Sequence, residues 1–390
     1  MDTIIRSKNI VINDVATSGG GKLSILRQLL DSINQYPQKD SVSWIVFVSN
    51  GLVDKYANDR IQVVHISAKK WSRRIIWDTI GIKWWLYKRK IRPDLAISLM
   101  TVGFKFLKVP QLVYLHQALP LSDYRNFKWY EIKYRGFSWF MKRWMRWSIS
   151  PNSFLVVQIS EMRRAASRLL NIDLDRAFIF TPSSTLESSL ETISNSQSTN
   201  RIFTYRLFYP VVPSVSYKNI DLLIRCFSII KERSPSIYKS IKLILTISMN
   251  DETRLVKSYV KLAKDLHVDE KIHWLGYIDS DELHKQYENS DALVFPSSVE
   301  TFGLPLLEAA MYGKKIFAID KPFVSDVLST YSGYEMIRKD ADVWASKIIK
   351  YYEKDQREVF EKITSENGDW SAFMELINKI IATNENSIYN

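Results

Sequence analysis

The amino-acid sequence predicts two α/β domains, each with a parallel sheet covered by helices on both faces. Short apolar runs recur along the chain and are separated by longer helical or loop stretches, which is the pattern of buried parallel strands. Between Ser183 and Asn200 the sequence becomes rich in Ser, Thr and Asn, which indicates a connection between domains. A chain of 390 residues is long enough for two domains that each bury a core.

Composition and charge narrow the class of protein without choosing a function. Hydrophobic residues make up 46% of the chain and charged residues 25%, as in globular proteins. The net charge of +12 predicts an anionic partner, but nucleic acid, anionic lipid and phosphorylated substrates all satisfy it. Cys226 is the single cysteine, so no intrachain disulfide is possible, and a buried thiol in a reducing cytoplasm is the simplest interpretation.

The sequence contains no targeting or membrane-spanning segment that we recognise. Residues 1–15 lack the apolar core of a signal peptide, and no run of about eighteen apolar residues occurs. We therefore expect a cytoplasmic protein that is either soluble or bound to a membrane surface.

The first half of the chain supplies five strand-like runs, and we place the first domain at residues 1–190. These runs are Trp44–Val48, Gln62–Ile66, Leu95–Ile97, Leu112–Leu115 and Leu155–Val157. We expect a linker at 191–200 and a second domain at 201–365. The tail has apolar residues at helical spacing, and one possibility is that residues 366–390 pack on the first domain.

A glycine-rich segment, Thr17–Lys22, precedes an amphipathic helical pattern early in the first domain. Gly19 and Gly20 allow close approach of the backbone to a phosphate or a sugar. The spacing is neither that of a dinucleotide-binding loop nor that of a P-loop, so a plain turn is the alternative.

His116 directly follows the fourth strand-like run of the first domain. A polar residue at the C-terminal tip of a parallel strand points into the crevice more often than into the core. A structural histidine is the alternative interpretation. The other four histidines lack this setting and have no metal-ligand spacing, so we predict no metal site.

Two segments carry most of the basic and aromatic excess, residues 69–92 and 125–147. The second has aromatic residues at helical spacing with arginines and lysines between them, a pattern that suits a helix in a membrane interface. We therefore expect binding to an anionic membrane, with the following tryptophans as contacts: Trp84, Trp85, Trp144 and Trp147. The alternative is that the aromatic residues pack on the sheet. Nucleic acid is not expected, because no recognition motif accompanies the charge.

The second domain is expected to open with a strand at Ile202–Tyr205, followed by a turn-rich stretch. Lys218 stands just before a helical pattern, so its ammonium group and the amino end of that helix can act together on a diphosphate. Further strands are predicted at Leu243–Ile247 and Lys271–Trp274.

The most informative stretch is residues 297–310, between the predicted strands Ala292–Phe295 and Ile316–Ile319. Pro305 suits a first helical turn, so the stretch is a loop that leads into a helix, and such loops face the ligand crevice. Glu300 and Glu308 flank backbone N–H groups at the positive end of that helix, which suits an anion. Carboxylates are also strong acceptors for sugar hydroxyls, so the combination points to a nucleotide-sugar.

Glu300, seven intervening residues and Glu308, with Phe302-Gly303-Leu304-Pro305 between them, resemble the donor-site signature of retaining glycosyltransferase family 4. The resemblance implies a GT-B fold, in which two doubly wound Rossmann-like domains face across a cleft. It also implies roles for residues of the two domains. His116, Lys218 and Glu300 would be catalytic; Gly19, Gly20, Thr301, Phe302, Gly303, Leu304 and Glu308 would bind the donor; Tyr277 and Ile278 would lie near the nucleobase.

The sequence departs from this family in one place. The family has an arginine about six residues before the lysine, and this chain has Val212 there; Arg206 is a conceivable substitute. The segment Asp173-Leu174-Asp175 has the Asp-X-Asp form that other transferases use for a metal, but three residues are a weak signal.

The expected activity is that of a retaining hexosyltransferase. It would move a sugar from a UDP- or GDP-linked donor to a hydroxyl of a lipid-linked oligosaccharide in surface polysaccharide, O-antigen or lipopolysaccharide biosynthesis. No cofactor is expected besides the donor substrate. Two alternatives stay open: a non-catalytic membrane- or polyanion-binding protein on the same scaffold, and a nucleotide-sugar epimerase.

Overall fold

The structure is a computed structural model, and it describes residues 7–17, 19–37, 42–68, 70–122, 124, 128–182, 205–212, 215–354, 358–364 and 370–388. The chain divides into two compact units. The first comprises residues 1–122, 136–183 and 366–390, and the second comprises residues 123–135 and 184–365. The segment 123–135 thus belongs to the second unit although first-unit residues flank it. The linker expected at 191–200 lies outside the described residues.

The first unit is built on a parallel sheet of seven strands in the order β3-β2-β1-β4-β5-β6-β7. The strands are β1 Lys8–Asp14, β2 Val42–Val48, β3 Ile61–His65, β4 Leu95–Ser98, β5 Gln111–Tyr114, β6 Phe154–Val157 and β7 Ala177–Ile179. All five predicted strands of this half are present, within one or two residues at each end. The apolar side chains of the inner strands β1, β2, β4 and β5 are buried on both faces, as doubly covered parallel strands require, whereas the edge strands β3 and β7 are only partly buried.

Helices cover both faces of this sheet. They are α1 Gly20–Gln35, α2 Trp71–Ile76, α3 Ile82–Lys88, α4 Ile132–Ser148 and α5 Ser160–Leu170. A π-helical stretch, Trp77–Gly81, joins α2 to α3 without a break. Helix α4 begins inside the segment that belongs to the second unit.

The second unit has a parallel sheet of six strands in the order β10-β9-β8-β11-β12-β13. The strands are β8 Tyr205–Tyr209, β9 Ile241–Leu245, β10 Ile272–Trp274, β11 Ala292–Phe295, β12 Lys315–Ile319 and β13 Tyr334–Ile337. The helices are α6 Ile220–Arg233, α7 Pro235–Ser240, α8 Arg254–Asp265, α9 Ser280–Asn289, α10 Leu304–Met311, α11 Pro322–Val327 and α12 Ala341–Glu353. The predicted class of two doubly wound α/β domains is confirmed.

The opening strand of the second domain was predicted at Ile202–Tyr205, and this placement is wrong at its C-terminal end. The strand β8 continues to Tyr209, through residues that the sequence pattern assigns to a turn-rich stretch, and residues 202–204 lie outside the described part of the chain. Leu207, Phe208 and Tyr209 are buried between β9 and β11. Pairing with these two neighbouring strands makes the residues a central strand, which the local sequence pattern does not indicate.

The C-terminal helix α13, Trp370–Ile388, packs on the first unit. Phe373, Met374 and Ile377 are buried in the same core as Leu29 of α1. The indole N–H of Trp370 donates to the side-chain oxygen of Gln28 at 3.1 Å. The last helix of the chain therefore completes the core of the first unit.

Strand order reverses once in each sheet, and the carboxyl ends of the two strands on either side of that point form a crevice. In the first unit the reversal lies between β1 and β4, and in the second between β8 and β11. In open α/β sheets this is where ligands bind.

Only part of the basic aromatic surface has the arrangement that the membrane prediction requires. Trp85 is 7% exposed and packs edge-on against Phe47 at 5.0 Å, and Trp144 is 6% exposed, so neither can contact a membrane. The prediction for these two is wrong, because Trp85 packs on Phe47 of the sheet and Trp144 packs on Trp71 of α2. Trp84 and Trp147 are exposed. Among the described residues, no helix has the length and apolar character needed to cross a bilayer.

Candidate functional site

The crevice of the second unit brings Lys218 and Glu300 together. Lys218 ends a short 3-10 turn, Ser216–Lys218, that lies between β8 and α6, and Glu300 lies in the loop between β11 and α10. Their side chains form an ion pair with Nζ 2.6 Å from Oε1, and both are partly exposed. The two residues are 82 positions apart, and the adjacency of β8 and β11 places them side by side.

Asn219 holds the two loops of this crevice together. It has a left-handed backbone conformation with φ of 52°, and its side-chain amide donates to the carbonyl of Pro296 at 2.6 Å and to the hydroxyl of Ser298 at 2.7 Å. The Ser298 N–H in turn donates to the carbonyl of Tyr217 at 2.8 Å. Sequence reasoning did not assign Asn219 a role, although asparagine is one of the few non-glycine residues that tolerates this conformation.

The loop Thr301–Leu304 turns directly into α10. Gly303 precedes the helix with φ of 96°, a left-handed conformation that glycine adopts without strain. A Cβ at this position would lie 3.1 Å from the side chain of Leu306. Phe302 is buried beside the turn. The loop therefore presents the amino end of α10 to the crevice, where its N–H groups and dipole favour an anion.

Glu308 lies inside α10 and is buried. Its Oε2 accepts a hydrogen bond from the Tyr287 hydroxyl at 2.6 Å. Burial, and next the charge and hydrogen bond of Glu308, raise the pKa of Tyr287 well above its usual range, so the tyrosine stays a donor. Tyr287 thus fixes the orientation of this carboxylate, which is one of the predicted donor-binding groups.

The predicted nucleobase residues follow β10. Tyr277 is 96% exposed, whereas Ile278 is half-buried, and Gly276 before them has φ of 79°. At this exposure the Tyr277 ring is accessible to a ligand.

Arg206 cannot replace the arginine that the resembled family carries before the lysine. It lies at the amino end of β8, and its guanidinium donates to the side-chain oxygen of Gln286 at 2.9 Å. Lys218 follows the carboxyl end of the same strand, so the length of β8 separates the two cations. Val212, at the position where the family has arginine, is exposed.

The crevice of the first unit contains the remaining predicted residues. Gly19, with φ of 155°, immediately precedes α1 and is exposed, and Gly20 is the first residue of that helix. His116 follows β5, and its ring stacks on Tyr114 with ring centres 4.3 Å apart. Burial, and next the positive charge of Lys22, lower the pKa of His116 to about 3, so the imidazole is neutral at pH 7.

Thr101 supports His116 from the neighbouring loop. Its hydroxyl oxygen accepts the His116 backbone N–H at 3.2 Å. Thr101 has φ of 67°, which is rare for a β-branched residue and costs about 1–3 kcal/mol, and such strain clusters at functional sites.

A buried polar cluster lies beside the glycine loop. Asp14, the last residue of β1, accepts the Thr17 hydroxyl at 2.5 Å, and burial raises the pKa of Asp14 to about 8 despite this bond and the charges of Lys22 and Arg74. Asp78 is tied to Asn13 by an amide hydrogen bond of 2.8 Å, and burial raises its pKa to about 6. Sequence reasoning missed this cluster, because its members come from β1, α1 and the helix after β3.

Within the described chain, four of these groups keep a buried atom without a hydrogen-bond partner, namely Oδ2 of Asp14, Nε2 of His116, Nε of Arg74 and Oδ2 of Asp78. The last two atoms form an ion pair at 3.7 Å, so Asp14 and His116 are the two without an ionic partner for that atom. Buried polar atoms are nearly always paired, so such atoms indicate either strain or a place where a ligand bonds.

The two parallel sheets have the fold of solved glycosyltransferase structures of the GT-B type. Residues 201–370 match the family model described as "Glycosyl transferases group 1". This match falls almost entirely within the second unit.

Individual relatives agree with this assignment. The uncharacterized glycosyltransferase YqgM of Bacillus subtilis is 24% identical over 165 residues, which are 41% of this chain and 42% of YqgM. The chain thus spans less than half the length of the curated relatives that it matches first.

Two solved structures share the fold over most of both chains. WaaG, a glycosyltransferase involved in lipopolysaccharide biosynthesis, superposes with a TM-score of 0.64 at 13% identity, covering 88% of this chain and 91% of WaaG. Alr3699/HepE of Anabaena in complex with UDP superposes with a TM-score of 0.59 at 14% identity, covering 96% and 100%.

Proposed function

We propose that the protein transfers a glycosyl group from a nucleotide-sugar to an acceptor hydroxyl, with retention of anomeric configuration. The observation that carries this proposal is the Lys218–Glu300 pair beside the amino end of α10, at the switch point of the second sheet. A cation and a helix N-terminus suit a diphosphate, while an adjacent carboxylate suits sugar hydroxyls. UDP in the HepE crystal structure supports a nucleotide donor of this kind.

The reaction breaks the bond between C1 of the sugar and the phosphate oxygen, and the electron pair stays on the diphosphate. Lys218 and the amino end of α10 stabilise that charge as it develops, and preorganised donors of this type contribute about 3 kcal/mol each. The acceptor oxygen bonds to C1, and its proton goes to the leaving phosphate oxygen. The balance of the step requires neither a redox cofactor nor a covalent enzyme intermediate.

The other site residues would bind and orient the donor. Glu300 accepts hydroxyl hydrogens of the sugar, and Glu308, held by Tyr287, accepts those of the ribose. Neutral His116 in the first unit exchanges a hydrogen bond with a sugar hydroxyl. Thr301, Phe302, Gly303 and Leu304 shape the loop that contacts the diphosphate.

The test combines a binding screen with a matched pair of variants. Thermal-shift measurements against UDP- and GDP-sugars identify the donor, and product analysis by NMR distinguishes transfer or hydrolysis from epimerisation. Lys218→Ala is expected to lower turnover by about 10²-fold. Lys261→Ala, which removes an exposed ion pair with Asp265 in the same unit, is the control and is expected to keep full activity.

Two results would contradict this function. Absence of any shift and of any product from the wild-type protein would favour a binding scaffold without catalysis. Full turnover in Lys218→Ala would show that the chemistry occurs elsewhere.

The acceptor is proposed to be a lipid-linked oligosaccharide of a surface polysaccharide, reached from the cytoplasmic face of the membrane. The support is an exposed apolar stripe along α2, the π-helical stretch and α3, formed by Ile76, Ile80, Trp84 and Tyr87. Exposed lysines and arginines flank the stripe, and the ammonium group of Lys88 lies 4.1 Å from the centre of the Trp84 ring. Aromatic and basic side chains together suit anionic headgroups.

A flotation assay tests this surface. The wild-type protein is expected to float with phosphatidylglycerol vesicles and to stay behind with phosphatidylcholine. The Ile80→Ser/Trp84→Ser variant is expected to lose flotation, whereas Leu174→Ser, an exposed apolar residue elsewhere on the first unit, keeps it. Equal flotation of both variants would exclude the stripe as the membrane contact.

A further inference from the structure

The segment 123–135 makes an unexpected contribution to the Lys218 turn. First-unit residues flank this segment in sequence, yet it packs within the second unit. Its described part contains a 3-10 turn, Trp129–Glu131, that leads into the first residues of α4. The ring of Tyr124 lies edge-on to that of Tyr217 at 5.6 Å, and the hydroxyls of Tyr124 and Ser216 are 3.3 Å apart.

Glu131 is the center of these contacts. Its side chain is only 3% exposed, and its Oε1 accepts the Ser216 backbone N–H at 2.6 Å. Its Oε2 accepts the Ser216 hydroxyl and the Lys128 backbone N–H, the latter at 3.0 Å. A buried carboxylate is costly unless donors satisfy it, and here two of the three donors belong to one residue of the Lys218 turn.

Lys218 lies only two residues after Ser216, so the hydrogen bonds from Ser216 to Glu131 also restrain the position of Lys218. Ser216 is the first and Lys218 the last residue of the turn, and the N–H of Asn219 donates back to the carbonyl of Ser216 at 3.0 Å. The Tyr209 hydroxyl donates to the carbonyl of Lys218 at 3.1 Å. Glu131 holds one end of the turn, while Tyr209 and the Asn219 side-chain bonds hold the other.

We infer that Glu131 is a positioning residue that holds Lys218 where its ammonium group meets the donor diphosphate. The inference rests on the proposed function, because it concerns the partner that Lys218 binds. It adds a residue that precedes the donor domain in sequence and that neither the donor-site signature nor the matched range 201–370 contains.

A purely structural role for Glu131 makes a different prediction. As a simple anchor, Glu131 would affect stability and would weaken every ligand of the unit alike. As a positioning residue it acts through Lys218, so its loss weakens ligands that carry the diphosphate and spares those without it. Its effect also disappears when Lys218 is already absent.

The experiment measures affinity for UDP and uridine, and for GDP and guanosine, by calorimetry or competition. Glu131→Gln is expected to lower the affinity for the nucleoside diphosphate about 5- to 10-fold. The affinity for the matching nucleoside is expected to stay within twofold of the wild-type value. In the Lys218→Ala background the same change is expected to have no further effect. Glu270→Gln is the control, since Glu270 accepts the Tyr238 hydroxyl at 2.6 Å beside the amino end of β10.

Ser216→Ala provides a second variant if Glu131→Gln is poorly folded by circular dichroism. It removes one of the Glu131 hydrogen bonds and leaves the carboxylate in place, and a two- to threefold loss for the diphosphate alone is expected.

The outcomes separate this inference from the proposed function. If the wild-type protein binds UDP or GDP and both Glu131→Gln and Ser216→Ala bind it with unchanged affinity, only the role of Glu131 is overturned. The role of Glu131 is also overturned if Glu131→Gln lowers diphosphate affinity equally in the wild-type and Lys218→Ala backgrounds, or if it lowers nucleoside affinity as much as diphosphate affinity. Failure of the wild-type protein to bind either diphosphate overturns both proposals.

Discussion

The two crevices of this protein lie at equivalent places in two similar sheets, but they handle polar groups in opposite ways. In the second unit, Lys218 pairs with Glu300 and Asn219 ties their loops together. In the first unit, Asp14 is buried, His116 is partly buried, and each keeps a buried atom without a hydrogen-bond partner. The second crevice is thus preorganised for charge, whereas the first is prepared for uncharged hydrogen-bonding groups.

Burial accounts for this difference. Lys218 and Glu300 keep contact with solvent, and a charged pair is stable there. Asp14 is buried, and His116 is partly buried with its Nε2 atom shielded from solvent. Desolvation therefore favours the neutral form of each: it raises the pKa of the acid and lowers that of the base. A charged diphosphate suits the solvent-exposed pair in the second unit, and sugar hydroxyls suit the neutral groups in the first unit.

The largest effect is expected when the ion pair of the second crevice is broken. Glu300→Gln should lower turnover by about 10²-fold, because Lys218 loses its partner and the sugar loses a charged acceptor. Steady-state kinetics with the identified donor measure this effect. Glu282→Gln, which removes an exposed contact with Lys285, is the control. Turnover within threefold of wild type would mean that the pair is only structural.

Gly303→Ala should destabilise the second unit by about 1–2 kcal/mol, since alanine at φ of 96° is strained. Donor affinity should fall as well, because the turn sets the amino end of α10. Chemical denaturation and calorimetry measure the two effects. Gly136→Ala is the control, as a Cβ at Gly136 in α4 meets no atom within 4 Å. Unchanged stability would show that the loop relaxes freely.

In the first crevice, His116→Gln should lower turnover by about tenfold, the value of roughly one hydrogen bond to a sugar. Because the pKa of His116 is lowered to about 3, the imidazole stays neutral in the folded protein above pH 4. The pH profiles of turnover for wild type and His116→Gln should therefore have the same shape near pH 6.5. His65→Gln changes an exposed histidine in the same unit and is the control. A wild-type titration near 6.5, absent in His116→Gln, would contradict this environment.

The smallest effect is expected from Asp14→Asn, as a pH-dependent change in stability. The pKa of Asp14 is about 8 in the folded protein and 3.8 without burial, so the folded state binds an extra proton between these values. The stability contributed by this protonation is present below pH 4 and is lost as pH rises through 8.

Thermal unfolding at pH 5.5 and 8.5 measures this change. The melting temperature of Asp14→Asn minus that of wild type should be a few degrees higher at pH 8.5 than at pH 5.5. Asp175→Asn, an exposed carboxylate in the same unit, should show no such trend. The same difference at both pH values would mean that Asp14 is ionised in the folded protein.

Local patterns predicted most of the fold and part of the site. Apolar runs predicted β2, β4 and β11 because buried parallel strands are apolar on both sides. Pro305 predicted the start of α10, because its fixed backbone angle suits a first helical turn. The tryptophans showed the limit of such patterns, since Trp84 and Trp85 are neighbours and only the packing of α3 decides that one is exposed and the other buried.

By itself, the sequence determined which residues have the chemistry for a donor site, namely Lys218, Glu300, Glu308 and the glycine turn between the two glutamates. The tertiary structure decided what these residues touch. Strand order brings Lys218 to Glu300 across 82 positions, and Glu131 reaches Ser216 across 85. Backbone preferences act over a few residues and can be read locally, whereas contacts between distant segments depend on which strands become neighbours.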